Sequence, residues 1–151
     1  MERRPSLPKD LESVIDRLVE PTGSVERVFD TKQKAMMFAA ALGFATGTRR
    51  KLERKAAGIR YDVFEGSLDD GFINALAVFE TGDLKVLSEA RVNERIDIFE
   101  EYAHAGVEVI SRLCAQEGNG LDSLIRRTLE AQEVGSEIPG IDPAVLRNLL
   151  R

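Results

Sequence analysis

The run from Ala35 to Ala45, AMMFAAALGFA, is apolar at every position, and this constrains the fold more than any other feature of the chain. A helix with one polar face can lie on a surface, whereas one that is apolar all round must be enclosed by other elements. The run is far shorter than the roughly 20 residues needed to cross a bilayer, so it predicts a central core helix and no membrane span. Asp30 followed by Gln33 predicts a capping box at its start. Gly43 follows its last bulky residue, Leu42. Ala39, Ala40 and Ala41 are small enough to let neighbouring helices come close, while Met36, Met37, Phe38 and Leu42 supply bulk.

Helical spacing dominates the rest of the chain. Leu11, Val14, Ile15 and Leu18 predict a first helix over about 8–20, ended by Pro21 and Gly23. Ser67 reads as the cap of a helix carrying Asp69 and Asp70 in its first turn and Phe72, Ile73, Leu76 and Phe79 on its apolar face, closed by Thr81, Gly82 and Asp83. Leu84 to Leu87 reads as a helical turn. Val92, Ile96, Phe99, Tyr102, Ala103, Val107, Ile110 and Leu113 then keep helical spacing over about 90–116, the longest helix. Gly106 lies in its middle. A glycine there costs about 1 kcal/mol relative to alanine, which is tolerable where the missing side chain lets another helix cross closely. Further helices are predicted around Leu121, Leu124, Ile125 and Leu129, and from Asp142 and Pro143 through Leu150. Ile59, Tyr61 and Val63 alternate with Arg60 and Asp62, which predicts at most a short hairpin near residues 58–64. The expected fold is therefore all-α, a single helical domain over 1–151 with about six helices.

Composition supports that reading. With 151 residues, 43% hydrophobic and 31% charged, the chain has the length and apolar content of one soluble domain. Cys114 is the lone cysteine, and no apolar stretch of signal-peptide length follows Met1, so a reducing cytoplasm is expected. The net charge of −5 excludes a general whole-surface binder of nucleic acid or membrane but leaves room for a local basic patch.

No catalytic set assembles from the residues. His104 is the only histidine, which rules out a histidine-based triad or multi-histidine metal site built from one chain; a surface helix position is expected for it. Cys114, with no second cysteine, reads as a buried structural thiol. Asp69 with Asp70, and Glu100 with Glu101, are neighbours that diverge by about 100° on a helix, so helix-terminal charge and solvation account for them. The glycines of Gly43 to Lys51 lack the ending of a phosphate loop, and Gly118-Asn119-Gly120 is too short for a dinucleotide fingerprint. An enzyme is not expected, nor is a cofactor or metal.

Charge is segregated along the chain. Thr48 to Arg60 holds Arg49, Arg50, Lys51, Arg54, Lys55 and Arg60 against Glu53 alone, net +5. Residues 61–111 hold twelve acids against Lys85, Arg91 and Arg95, net −9. Either the two segments neutralise each other across the fold or simply solvate its surface, or the six bases form a phosphate-facing loop after the central helix. Guanidinium forks suit phosphate oxygens, although nothing in the segment specifies bases.

Three stretches in order, Phe38-Ala39-Ala40-Ala41-Leu42-Gly43-Phe44 with Gly47 and Arg49-Arg50, then Glu80-Thr81-Gly82-Asp83, then Ile98-Phe99-Glu100-Glu101-Tyr102-Ala103-His104-Ala105-Gly106, resemble the DNA phosphorothioation (Dnd) system-associated protein 4 family. The resemblance covers roughly residues 10–115. It implies a small bacterial accessory protein of systems that replace a non-bridging phosphate oxygen of DNA with sulfur and couple the mark to defence. No catalytic residue is transferred with it. The expected function is thus a non-enzymatic accessory whose partners are DNA, protein components of the modification and restriction machinery, or both, and not a membrane. A stand-alone transcriptional regulator is the alternative, for which no recognition helix with its short turn is evident.

Overall fold

A computed structural model describes residues 3–20 and 27–116. Among these the chain forms five α-helices: α1 (Glu12–Val19), α2 (Lys32–Ala45), α3 (Tyr61–Gly66), α4 (Asp70–Thr81) and α5 (Val92–Gln116). Three 3-10 turns, Lys9–Leu11, Leu84–Leu87 and Glu89–Arg91, lead into α1 and α5, and no β-strand occurs among the described residues. The helices predicted around 121–129 and after Asp142 lie outside them.

The most extensive helix pair is α2 on α5, and it is built on two missing side chains. A Cβ on Gly106 would run into the backbone carbonyl of Ala39, and a Cβ on Gly43 would run into that of Tyr102. The two helices therefore approach reciprocally, each placing a carbonyl where the other has only a hydrogen. Ala35, Ala39, Ala40 and Ala103 are fully buried, as are Met36 and Phe99. Close backbone approach multiplies dispersion contacts along the crossing, and this offsets the entropic penalty of a mid-helix glycine. The crossing expected at Gly106 is thus made by α2. One face of α2 reaches the surface nonetheless, since Ala41 is exposed.

The other helices pack around this pair. From α4, Ile73, Leu76 and Ala77 are buried, and from α3, Tyr61 and Phe64. The Phe64 ring meets Phe99 edge-on at 5.6 Å. Phe44 links α2 to both α4 and α5, with ring centroids 4.9 Å from Phe79 and 5.7 Å from Tyr102. The turns at 84–91 are fastened to α5 by Arg95, 8% exposed, whose guanidinium donates to the carbonyls of Val86 at 2.7 Å and Ser88 at 2.8 Å.

One local alternative is resolved and three local expectations are corrected. The alternation at 59–63 forms no hairpin, because Tyr61 and Phe64 are three residues apart and bury together as a helical pair while Val63 points outward. The extended segment before it does run beside the N-terminus, with Lys9 N donating to Arg54 O, Ala56 N to Leu7 O and Ile59 N to Pro5 O, each at 2.9 Å. Pro5 and Pro8 lack N–H groups, so the ladder stops at the single bridge Pro8–Lys55. The cap of α2 is Thr31, whose hydroxyl accepts from Lys34 N, and not Asp30. Gln33 is consequently turned inward, with Nε2 2.5 Å from Ser67 Oγ and 2.6 Å from Asp69 Oδ2. Ser67 closes α3 instead of capping α4, lying 3.0 Å from Val63 O. Finally, Glu100 is not solvated. It is 2% exposed and accepts from Ser6 N at 2.9 Å, Lys55 Nζ at 2.7 Å and Arg3 Nη2 at 3.0 Å, a donor set that makes its burial tolerable.

Candidate nucleic-acid interface

The six bases of the loop between α2 and α3 separate into two kinds. The loop begins where Gly47, at φ +67°, turns the chain out of α2, and Arg50 N then donates to Glu101 O of α5. Arg49 faces inward from this turn. Its Nε and Nη2 lie 3.0 and 2.6 Å from Glu101 Oε2, its Nη1 lies 2.5 Å from Glu80, and its guanidinium sits 5.7 Å from the centroid of the Tyr102 ring. The Tyr102 hydroxyl donates to the other Glu80 oxygen. That bond and Arg49 hold the Glu80 carboxyl below the usual range, while burial and Glu80 push the Tyr102 phenol up to about 12. Lys55 is similarly engaged by the buried Glu100. Arg49 and Lys55 brace the loop against α4 and α5.

Arg50, Lys51, Arg54 and Arg60 project outward. Arg50 pairs with Glu108 at 3.1 Å, Arg54 with Asp10 at 3.2 Å, and Arg60 with Asp62, and each of these three bases is more than half exposed. Lys51 is exposed and meets no carboxylate among the described residues. The same holds for Arg112, near the end of α5. Arg50, Lys51, Arg54 and Arg112 share a cleft of about 750 Å³ between the loop and α5, whose wall also includes Asp10, Glu53 and Glu108. Arg60 is not among the residues that line it.

His104 positions this cleft. It is 13% exposed, not a surface residue, because the loop folds over it. Its Nδ1 lies 3.2 Å from Arg50 O and 3.0 Å from Lys51 O, so this nitrogen carries the proton and donates to the loop backbone. Nε2 faces Glu108 at 3.6 Å. Cys114 is half-buried and packs against the core. Neither Arg112 nor the clamp by His104 was legible in sequence, since the loop and α5 are some fifty residues apart; the Tyr102-Ala103-His104 stretch was the one signal pointing to that region.

What the geometry defines is an all-helical protein whose central helix pair carries a braced, outward-facing cationic loop. The model of the family DNA sulphur modification system-associated protein 4 matches residues 4–137, and the chain belongs to this family. The match extends beyond the resemblance at both ends and takes in part of the segment after Gln116. No curated protein and no solved structure matches the chain. Among the described residues no helix is long and apolar enough to cross a membrane.

Proposed function

We propose that the protein is a non-enzymatic accessory of a bacterial DNA phosphorothioation-linked defence system that contacts duplex DNA through the outward half of its basic loop. The observation carrying this reading is the grouping of Arg50, Lys51, Arg54 and Arg112 on one cleft, two of them without a carboxylate among the described residues. Exposed ion pairs contribute about 0–1 kcal/mol, so Arg50 and Arg54 can exchange Glu108 and Asp10 for phosphate oxygens at little cost. Phosphate contacts of this kind position a protein on DNA without selecting sequence. The accessory, non-catalytic role is supported by the engagement of the His104 Nδ1 with loop carbonyls and by the packing of Cys114. The regulator alternative gains no support: α3 and α4 are joined by a short turn, but Asp69 and Asp70 begin α4 and would repel a phosphate backbone.

The test is fluorescence anisotropy with one duplex in plain and phosphorothioate form. The parent is expected to bind with a steep salt dependence. Arg50→Ala/Lys51→Ala/Arg54→Ala should lower the slope of log affinity against log salt by about 0.9 for each phosphate no longer neutralised. Equal affinity of parent and triple variant, or no binding at low salt, removes the reading. A preference for the phosphorothioate duplex would extend it to recognition of the mark.

A further inference from the structure

We infer that a smaller cleft beside the basic one seats the sulfur atom of a phosphorothioate diester, so that the protein reads the modified linkage in one of its two diastereomers. The inference rests on the DNA reading and adds to it the group that is recognised. The smaller cleft, of about 290 Å³, lies between the C-terminal end of α2 and the second half of α5. Arg50, Glu108 and Arg112 line it, and the same three residues line the cleft of about 750 Å³. The two clefts are therefore neighbours with a common wall.

Their remaining residues differ in chemistry. The larger cleft adds the cations Lys51 and Arg54. The smaller one adds no further charge. It is completed by Ala105, Val109 and Leu113, which are four residues apart and form one stripe of α5, and by Thr46 and Thr48 at the start of the loop. Both threonine hydroxyls are already committed, Thr46 Oγ1 donating to Gly43 O at 3.0 Å and Thr48 Oγ1 to Thr46 O at 3.3 Å. An atom placed against the stripe meets C–H groups, with two guanidinium groups at its edge.

That combination suits a thio-substituted diester better than an ordinary one. A non-bridging oxygen is a strong acceptor, and burying it without a donor is costly. Sulfur is larger, more polarisable and a weak acceptor, so it loses little on exchanging water for methyl groups. A diester held between Arg50 and Arg112 can turn one non-bridging atom towards the cations of the larger cleft and the other towards the stripe of α5. Sulfur is favoured at the second position. Because the phosphorus is then a stereocentre held in one orientation, only one configuration brings the sulfur there. Glu108 restricts the charge of the ligand: it pairs with Arg50 at 3.1 Å and lies 3.6 Å from His104 Nε2. A carboxylate so placed repels a doubly charged monoester more than a singly charged diester. The DNA sulphur modification system with which the family is associated makes the diester that this cleft fits.

The experiment compares, by anisotropy with the full-length protein, one duplex whose central linkage is a plain phosphate or either phosphorothioate diastereomer. One diastereomer is expected to bind about tenfold more tightly than the plain duplex and than the other diastereomer. Val109→Thr, which puts a hydroxyl where a methyl was with little change of shape, should bring that ratio to within about twofold, with circular dichroism verifying the helical content. A second measurement needs no variant: the methyl signals of Ala105, Val109 and Leu113 are followed by NMR during titration with a dinucleotide containing one phosphorothioate linkage, and with its phosphodiester counterpart. The thio-linked dinucleotide alone should shift them. Equal affinity for all the duplexes overturns the inference and leaves the DNA reading standing. So does a preference that Val109→Thr does not alter, because the sulfur then lies elsewhere. If no duplex binds at low salt, the DNA reading fails by itself, and the assignment of the cleft holds where the thio-linked dinucleotide still shifts the methyl signals. Absence of those shifts, or equal shifts from both dinucleotides, overturns it.

Discussion

The α2–α5 crossing and the basic loop that follows it are separated by a few residues, yet they are held together by opposite means. At the crossing, Gly43 and Gly106 remove atoms so that two backbones can touch, and the contact consists of dispersion and excluded water. In the loop, Arg49 and Lys55 add charges that only carboxylates from distant helices can satisfy. The first arrangement is steric and short-ranged, so it tolerates no added volume. The second is electrostatic and partly solvated, so it yields to pH and salt. The loop's position therefore relies on the crossing, because α5 must be seated before Glu100, Glu101 and His104 can receive the loop.

The crossing is probed most directly by Gly106→Ala. A methyl there meets backbone, not a flexible side chain, and the helices must separate; a loss of about 3 kcal/mol in chemical denaturation is expected. An unchanged stability would show that the helices are not in close contact at this point. Next comes Glu100→Ala, which strands Arg3, Lys55 and the Ser6 amide around an unfilled site, at about 2 kcal/mol and with loss of exchange protection at Ser6. Equal protection in parent and variant would refute the role given to Glu100.

A smaller effect separates the braced from the outward cations. Arg49→Ala should cost about 1 kcal/mol in thermal or urea unfolding, whereas Arg50→Ala, Lys51→Ala and Arg54→Ala should each stay within about 0.5 kcal/mol. Comparable losses at all four positions would dissolve the distinction.

The smallest effect is in pH dependence. The Glu80 carboxyl lies below its unfolded value, so its stabilisation is present above that value and is lost as pH falls through the lowered one. Tyr102→Phe removes the first of its supports, and the acid-unfolding midpoint should move to higher pH. At the alkaline end the sign reverses. The Tyr102 phenol is raised to about 12 from 10, so its stabilisation is complete below pH 10 and declines as pH rises towards 12. Tyr102→Phe should flatten that decline, and an equal decline in both proteins would count against it.

Much of the helical architecture could be read from residue order, because helix formation depends on local spacing. The apolar run at 35–45, the period of α5 and the positive-φ glycine ending α4 are each properties of one short segment. The small residue at 106 even announced a close crossing, since a mid-helix glycine has a cost that something must offset. Where two local readings competed, residue order could not choose. Ile59, Tyr61 and Val63 keep the alternation of a strand while Tyr61 and Phe64 have the spacing of a helical pair, and burial of Phe64 against Phe99 decided for the helix. The cap of α2 likewise moved one residue, from Asp30 to Thr31, once Gln33 had Ser67 and Asp69 as partners.

The fate of the charges belonged to the tertiary structure alone. Composition along the chain exposed a basic segment beside an acidic one, and left open whether they face each other or the solvent. Folding divides the answer within a single loop: Arg49 and Lys55 turn to Glu80, Glu101 and Glu100, while Arg50, Lys51 and Arg54 are joined at a cleft by Arg112 from α5. Periodicity is set by neighbours within one turn or strand, and so is written in the sequence. An ion pair depends on which residues some fifty positions apart come within 4 Å, and only the packed helices determine that.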